Sequence, residues 1–256
     1  MDLIKNPFKA ALAAGRQQIG LWCSMPGSGH AEVLAGCGFD WIIIDTEHTA
    51  VDHATVQAML QATESYPTHF GVRPGWNDPV EIKRLLDIGA QTIVVPYVQN
   101  ADEAARAVAA VRYPPDGIRG VSGLTRASRY GQIDNYTARA NAEICLIVQV
   151  ESAEALTQIE AMAAVDGVDG IFIGPADLAA SMGYPGNPGH PAVKAAVLDG
   201  IRRIVAAGKP AGLLSLDPAF LAEAIAAGSR FTAVDVDTAI LLRGARQSVQ
   251  TWKPGS

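Results

Sequence analysis

The chain has 256 residues, 49% of them hydrophobic and 18% charged. That balance excludes intrinsic disorder, which needs low hydrophobicity and high net charge, and the length suffices for a sizeable core. Twenty Lys and Arg against 26 Asp and Glu leave a formal charge of -6, which repels phosphate backbones and argues against nucleic-acid binding.

The apolar runs are short and broken by Gly, Pro or a charge, below the roughly 20 residues that a membrane span requires. Residues 1–15 hold no apolar core of the kind a secretory signal carries, so the expected compartment is the cytoplasm. Cys23, Cys37 and Cys145 are odd in number and widely spaced. They fit neither a disulfide framework nor a zinc ribbon, and their apolar flanks predict three buried, reduced thiols.

One pattern recurs along the chain: an Ala/Leu-rich stretch, a Gly, then a short β-branched run, as in AEVLAGCGFDWIIID, IKRLLDIGAQTIVVP and IEAMAAVDGVDGIFIG. Each reads as a helix closed by Gly and followed by a strand apolar on both faces. In chain order the predicted strands are 19–24, 41–45, 69–73, 92–96, 144–150, 170–174, 211–214 and 233–236. Helices are predicted over 29–36, 54–64, 79–88, 102–111, 153–163, 191–207, 218–227 and 238–250. Eight such repeats in one chain predict a single (β/α)8 TIM barrel as one domain. An open doubly wound sheet is the weaker alternative, because no G-x-G-x-x-G follows the first strand. Two connections, 112–141 and 184–190, exceed what a barrel needs, and long ordered loops are usually functional.

Active sites in such barrels lie at the C-terminal strand ends. Strand two ends in Asp45-Thr46-Glu47-His48, strand three in Arg73, strand five in Gln149-Val150-Glu151, strand six in Gly174-Pro175-Ala176-Asp177 and strand eight in Asp235-Val236-Asp237. Gln149 and Glu151, two apart, point the same way. Glu151 and Asp177, from adjacent strands, either ligate a hard cation such as Mg2+ or Mn2+ or favour the starts of the helices that follow. His48 is either a general base or a hydrogen-bonded structural histidine. Arg73 either holds an oxyanion or makes a salt bridge across the mouth.

None of Lys5, Lys9, Lys83, Lys194, Lys209 and Lys253 falls at a C-terminal strand end, which argues against Schiff-base chemistry and in favour of a metal. In the long loop, Arg119, Arg126 and Arg129 form a cationic cluster. It reads equally as a lid for an anionic substrate and as a solvated or subunit-contact loop.

The motifs IIIDTEH, FGVRP, PPDGIRGVSGLTRASRYG, VQVESAEAL and GIFIGPADLAASMG, in that order, resemble the HpcH/HpaI aldolases. The likeness runs from about Gly20 to Arg243. It implies metal-dependent aldol chemistry on 4-hydroxy-2-oxo acids, with a 2-oxo acid such as pyruvate and an aldehyde as the small-molecule partners. It implies Glu151 and Asp177 as ligands of a divalent cation (Mn2+, Mg2+ or Co2+), with no organic cofactor. By the same resemblance Gln149, Ala176 and Asp177 contact the oxo acid, Arg73 stabilises its negative charge, and His48 is the base, paired with Asp87.

Asp87 lies near the end of its helix, which points toward the opposite face of its own barrel. The pairing therefore implies a homo-oligomer, a hexamer by resemblance, with Asp87 reaching a neighbour's His48. The alternative is a surface acid facing Lys83 or Arg84. The acceptor pocket is expected around Trp22 and residues 213–215. Two other functions stay open: a metal-enolate lyase of acyl-CoA esters, and a non-catalytic barrel that binds oxo acids.

Overall fold

The computed structural model describes residues 1–253. Eight parallel strands close into a barrel in chain order: β1 (Gln18–Cys23), β2 (Trp41–Asp45), β3 (His69–Arg73), β4 (Thr92–Val95), β5 (Cys145–Val150), β6 (Gly170–Ile173), β7 (Ala211–Leu214) and β8 (Ser229–Val236). Twelve α-helices are described: α1 (Pro7–Ala13), α2 (Ser28–Ala35), α3 (His53–Ala62), α4 (Pro79–Asp87), α5 (Ala101–Val111), α6 (Tyr136–Ala140), α7 (Ala153–Leu156), α8 (Ile159–Ala163), α9 (Pro175–Ser181), α10 (Pro191–Ala206), α11 (Pro218–Ala227) and α12 (Asp237–Trp252). The predicted strands and outer helices are all present, most within a residue or two. β8 is the exception, starting four residues earlier than expected. Among the described residues, no helix is long and apolar enough to cross a membrane.

The strands carry apolar residues on both faces because both are covered. Outward residues such as Ile42, Ile44, Val72 and Leu146 pack under the helices. Inward residues Trp22, Trp41, Ile43, Ile147, Phe172 and Phe231 fill the barrel. Two glycines make room for the large rings: a Cβ on Gly20 would lie 2.1 Å from the Trp41 ring, and one on Gly212 would lie 2.2 Å from the Phe231 ring.

Other features also differ from expectation. Helix α1 was not foreseen, although Asn6-Pro7 is a cap-and-start signal. Asn6 accepts the Lys9 N–H. Phe8 and Leu12 then join the interior cluster and close the base of the barrel, with Phe8 5.6 Å from the Trp41 ring and 5.9 Å from the Phe231 ring. The single helix expected over 153–163 is broken into α7 and α8, where the Thr157 hydroxyl bonds back to Glu154 O, a local competitor of the helix ladder. Cys37 is exposed while Cys23 and Cys145 are buried, because it falls in the surface turn after α2.

Helix α12 stands apart. The 16-residue helix buries only Asp237, and Ile240, Leu241, Leu242, Val249 and Trp252 are exposed. By contrast, α10 buries Val193, Val197, Ile201 and Ile204.

Candidate active site

Asp45 and Arg73 end adjacent strands as register partners, so their side chains meet. Arg73 Nε donates to Asp45 Oδ1 at 3.0 Å and Nη2 to Oδ2 at 2.7 Å, while Nη1 lies 2.8 Å from Glu47 Oε2. The guanidinium sits 4.9 Å over the Trp22 ring, which is packed on Phe172. A buried fork held this way is oriented before any ligand arrives. Burial alone would raise the Asp45 carboxyl, but Arg73 outweighs it and holds it below the usual range. Glu47 moves the other way, pushed up by burial and by repulsion from Asp45 and Asp177 despite Arg73 and His48.

Gln149 and Glu151 do share a face: Gln149 Nε2 donates to Glu151 Oε2 at 2.7 Å. The other oxygen accepts the Tyr97 N–H at 2.7 Å. Tyr97 adopts φ 53° to present that group, a conformation costing about 1–3 kcal/mol for a bulky residue. Gly174, following β6, lets the carboxylate in, because a Cβ there would lie 2.5 Å from Glu151 Oε2 and 2.8 Å from Gln149 Nε2. Glu151 is 2% exposed. Burial pushes its pKa up to about 7; the Tyr97 N–H opposes this, and the charges of Asp177 and Glu47 add to it.

Glu151 does not cap the next helix. Ser152 does, accepting the Ala155 N–H. Ala176 and Asp177 lie exposed in the first turn of α9, whose N-cap, Gly174, offers no side chain. The His48 side chain is 62% exposed, with Nε2 3.7 Å from Glu47 Oε1. His48, Arg73, Gln149, Glu151 and Asp177 are thus gathered at one mouth. The salt-bridge reading of Arg73 also holds, and its partners Asp45 and Glu47 had no role assigned from sequence.

Asp87 is elsewhere. It ends α4 at the base, where its Oδ1 accepts from Arg119 Nη2 at 2.8 Å. Lys83 and Arg84 are not the pairing partners expected of it. Arg119 is 1% exposed and stacks 4.2 Å over Tyr113. Arg126 donates to Ile88 O and to Glu64, and Arg129 pairs with Glu64. The arginine loop is therefore not a lid over its own mouth. It connects a helix to the start of a strand, and such connections in a parallel barrel lie at the base. A cavity of about 250 Å3 there, lined by Ile4, Leu60, His69, Gln91 and Ala127, faces away from the mouth acids. The lysines follow the same division: Lys5 pairs with Glu143, and Lys9 and Lys209 donate to Ile144 O and Val168 O, all at the base.

Residues 18–243 match the family model of the HpcH/HpaI aldolase/citrate lyase proteins. The chain belongs to this family. It is 58% identical over 252 residues to a hydroxypyruvate/pyruvate aldolase of Sagittula stellata, covering 98% of this chain and 100% of that one. It is 55% identical over 243 residues to a 4-hydroxy-2-oxo-heptane-1,7-dioate aldolase of Salmonella heidelberg, covering 94% and 92%. The crystal structure of an HpcH/HpaI aldolase/citrate lyase family protein from Burkholderia cenocepacia superposes with a TM-score of 0.94 at 39% identity, covering 97% and 100%.

HpcH/HpaI aldolases are metal-dependent, and three features of this mouth fit a divalent cation. Asp45, Glu47, Glu151 and Asp177 bring four carboxylates against one guanidinium. The donors are oxygens, which suit a hard ion. Gln149 Oε1 is buried without a hydrogen-bond partner, a vacant acceptor beside Glu151. A cation would also relieve the repulsion that raises the Glu151 pKa.

Proposed function

We propose that the chain catalyses the reversible aldol cleavage of 4-hydroxy-2-oxo acids to pyruvate, or a related 2-oxo acid such as hydroxypyruvate, plus an aldehyde. The observation that carries this reading is near-full-length identity to a hydroxypyruvate/pyruvate aldolase in a chain whose acids, arginine and histidine converge at one barrel mouth.

Glu151 and Asp177 hold the divalent cation (Mn2+, Mg2+ or Co2+), and Gln149, Asp177 and the Ala176 backbone orient the oxo acid. When bound, the cation supplies Lewis-acid polarisation of the 2-oxo carbonyl. Arg73, locked by Asp45 and Glu47, presents positive charge where the C2 oxygen becomes negative. In cleavage, His48 Nε2 takes the C4 hydroxyl proton, directly or through a water. The C3–C4 electron pair then moves toward the C2 oxygen, the aldehyde departs, and a proton returns to C3. Condensation runs the same steps backwards.

The reading includes a homo-oligomer. Asp87 and His48 lie at opposite ends of the barrel, and the nine residues of α4 rise about 13 Å. A neighbour's Asp87 meeting the exposed His48 ring reconciles that separation with a His–Asp pair. The unburied apolar residues of α12 support association, since a helix this amphipathic normally covers its apolar side. A hexamer is the assembly expected by resemblance.

Pyruvate release from a 4-hydroxy-2-oxo acid, measured before and after EDTA and again with Mn2+ added back, tests the reaction. Loss and recovery are expected. Activity that survives rigorous chelation overturns the metal-dependent mechanism, and inactivity with every metal overturns the aldolase assignment.

A further inference from the structure

A second group of metal-ligating side chains lies where the barrel seam meets α12. Cys23 ends β1, His30 lies in the first turn of α2, and Asp237 opens α12 directly after β8. The β1–β8 pairing, with Trp22 opposite Val236, sets Cys23 near Asp237, and α2 carries His30 to them. One ligating atom from each lies within 4.8 Å of the other two, and His30 Nε2 is 2.8 Å from Asp237 Oδ2. Cys23 and Asp237 are 0% and 2% exposed, whereas the His30 side chain is 25% exposed.

We propose that Cys23, His30 and Asp237 form a second cation site, selective for zinc, that fastens β1 and α2 to the start of α12. The chemistry of the donors differs from that of the mouth. Sulfur, imidazole nitrogen and a single carboxylate suit a borderline-soft ion, whereas Glu151 and Asp177 offer only oxygen. Tetrahedral zinc holds such donors at about 2.0–2.3 Å, which sets them roughly 3.3–3.6 Å apart. The His30–Asp237 pair therefore opens by about half an ångström and the sulfur moves inward.

The orienting shell is already built. Asp237 accepts N–H groups from Ser24 at 3.0 Å, Met25 at 2.9 Å and Thr238 at 2.7 Å. Fixed partners of this kind hold a ligating carboxylate in place. Thiolate and carboxylate together neutralise the dication, as a buried site requires. The fourth position opens on the partly exposed side of His30, where water can enter. Binding transfers the Cys23 thiol proton to solvent and forms the sulfur–zinc bond, with no redox step.

Cobalt tests this without reference to aldolase activity. The chelator-treated full-length protein is titrated with Co2+ and read by its near-ultraviolet thiolate-to-cobalt charge-transfer band, which oxygen ligands do not give. A band saturating at one equivalent, displaced by Zn2+, is expected in the wild type, in Glu151→Gln and in Cys37→Ser, which removes the exposed thiol. The band should disappear in Cys23→Ser. In His30→Ala, a change at a partly exposed side chain, cobalt affinity should fall on the order of 10-fold or more. No band in the wild type, a band lost in Cys37→Ser, or one unchanged in His30→Ala overturns the proposal.

Discussion

Glu151→Gln should remove a pH-dependent penalty from the metal-free protein. The Glu151 carboxyl rises from 4.5 to about 7 in the folded chain, chiefly through burial. Between those values the native chain holds a proton that the unfolded chain has released, so stability falls as pH climbs through the interval. At about 1.4 kcal/mol per pKa unit, the loss is roughly 3 kcal/mol. His69 works in the opposite sense: burial pushes its pKa down from 6.5 to about 4, so stability grows as pH rises over much the same range. The wild-type curve therefore conceals both, and only the difference from the variant isolates Glu151.

Gln is a suitable replacement because the buried Gln149 Oε1 can turn to accept its amide proton. Urea unfolding of both proteins after chelation, at about pH 4.5 and about pH 7.5, provides the measurement. Glu151→Gln should gain roughly 3 kcal/mol on the wild type between those pH values. Added Mn2+ at the higher pH should stabilise the wild type and leave the variant nearly unchanged. A stability difference that does not vary with pH refutes the argument.

Arg73→Lys keeps the charge but loses the fork on Asp45; kcat for pyruvate release should drop on the order of 100-fold or more. Gly174→Ala should drive the Glu151 carboxylate from its place and weaken Mn2+ binding at least about 10-fold, with little change in Tm; calorimetric titration reads it. His48→Asn should lower kcat by about 100- to 10,000-fold while Mn2+ affinity stays near wild type. Replacing Leu241 and Leu242 together by Glu should leave the barrel folded by circular dichroism but reduce the mass seen by light scattering; a mass unchanged by the pair argues against α12 as an association surface.

The barrel was legible because helix closure by Gly followed by β-branched runs repeats with a regular spacing, and the mouth acids were legible because they follow those runs directly. What the sequence concealed depends on side chains meeting across strands. Nothing in FGVRP indicates that Arg73 lies over Trp22, or that Tyr97 donates its N–H to Glu151 from a left-handed backbone. The arginine loop was ambiguous for a related reason. Its charges are explicit, but Glu64 and Asp87, which between them pair with all three arginines, come from the ends of two other helices. Cys37 misled because apolar neighbours in sequence do not bury a residue placed in a surface turn.

With Phe8 and Leu12 seated against Trp41 and Phe231, the barrel is a blind well rather than a tunnel. Arg73, Gln149 and Glu151 lie deep in it, and His48 stands at the rim. In the proposed reaction the oxo-acid half of the substrate enters first and the hydroxyl-bearing half stays outermost. The aldehyde then leaves before pyruvate can, so pyruvate should inhibit cleavage competitively and the aldehyde should not.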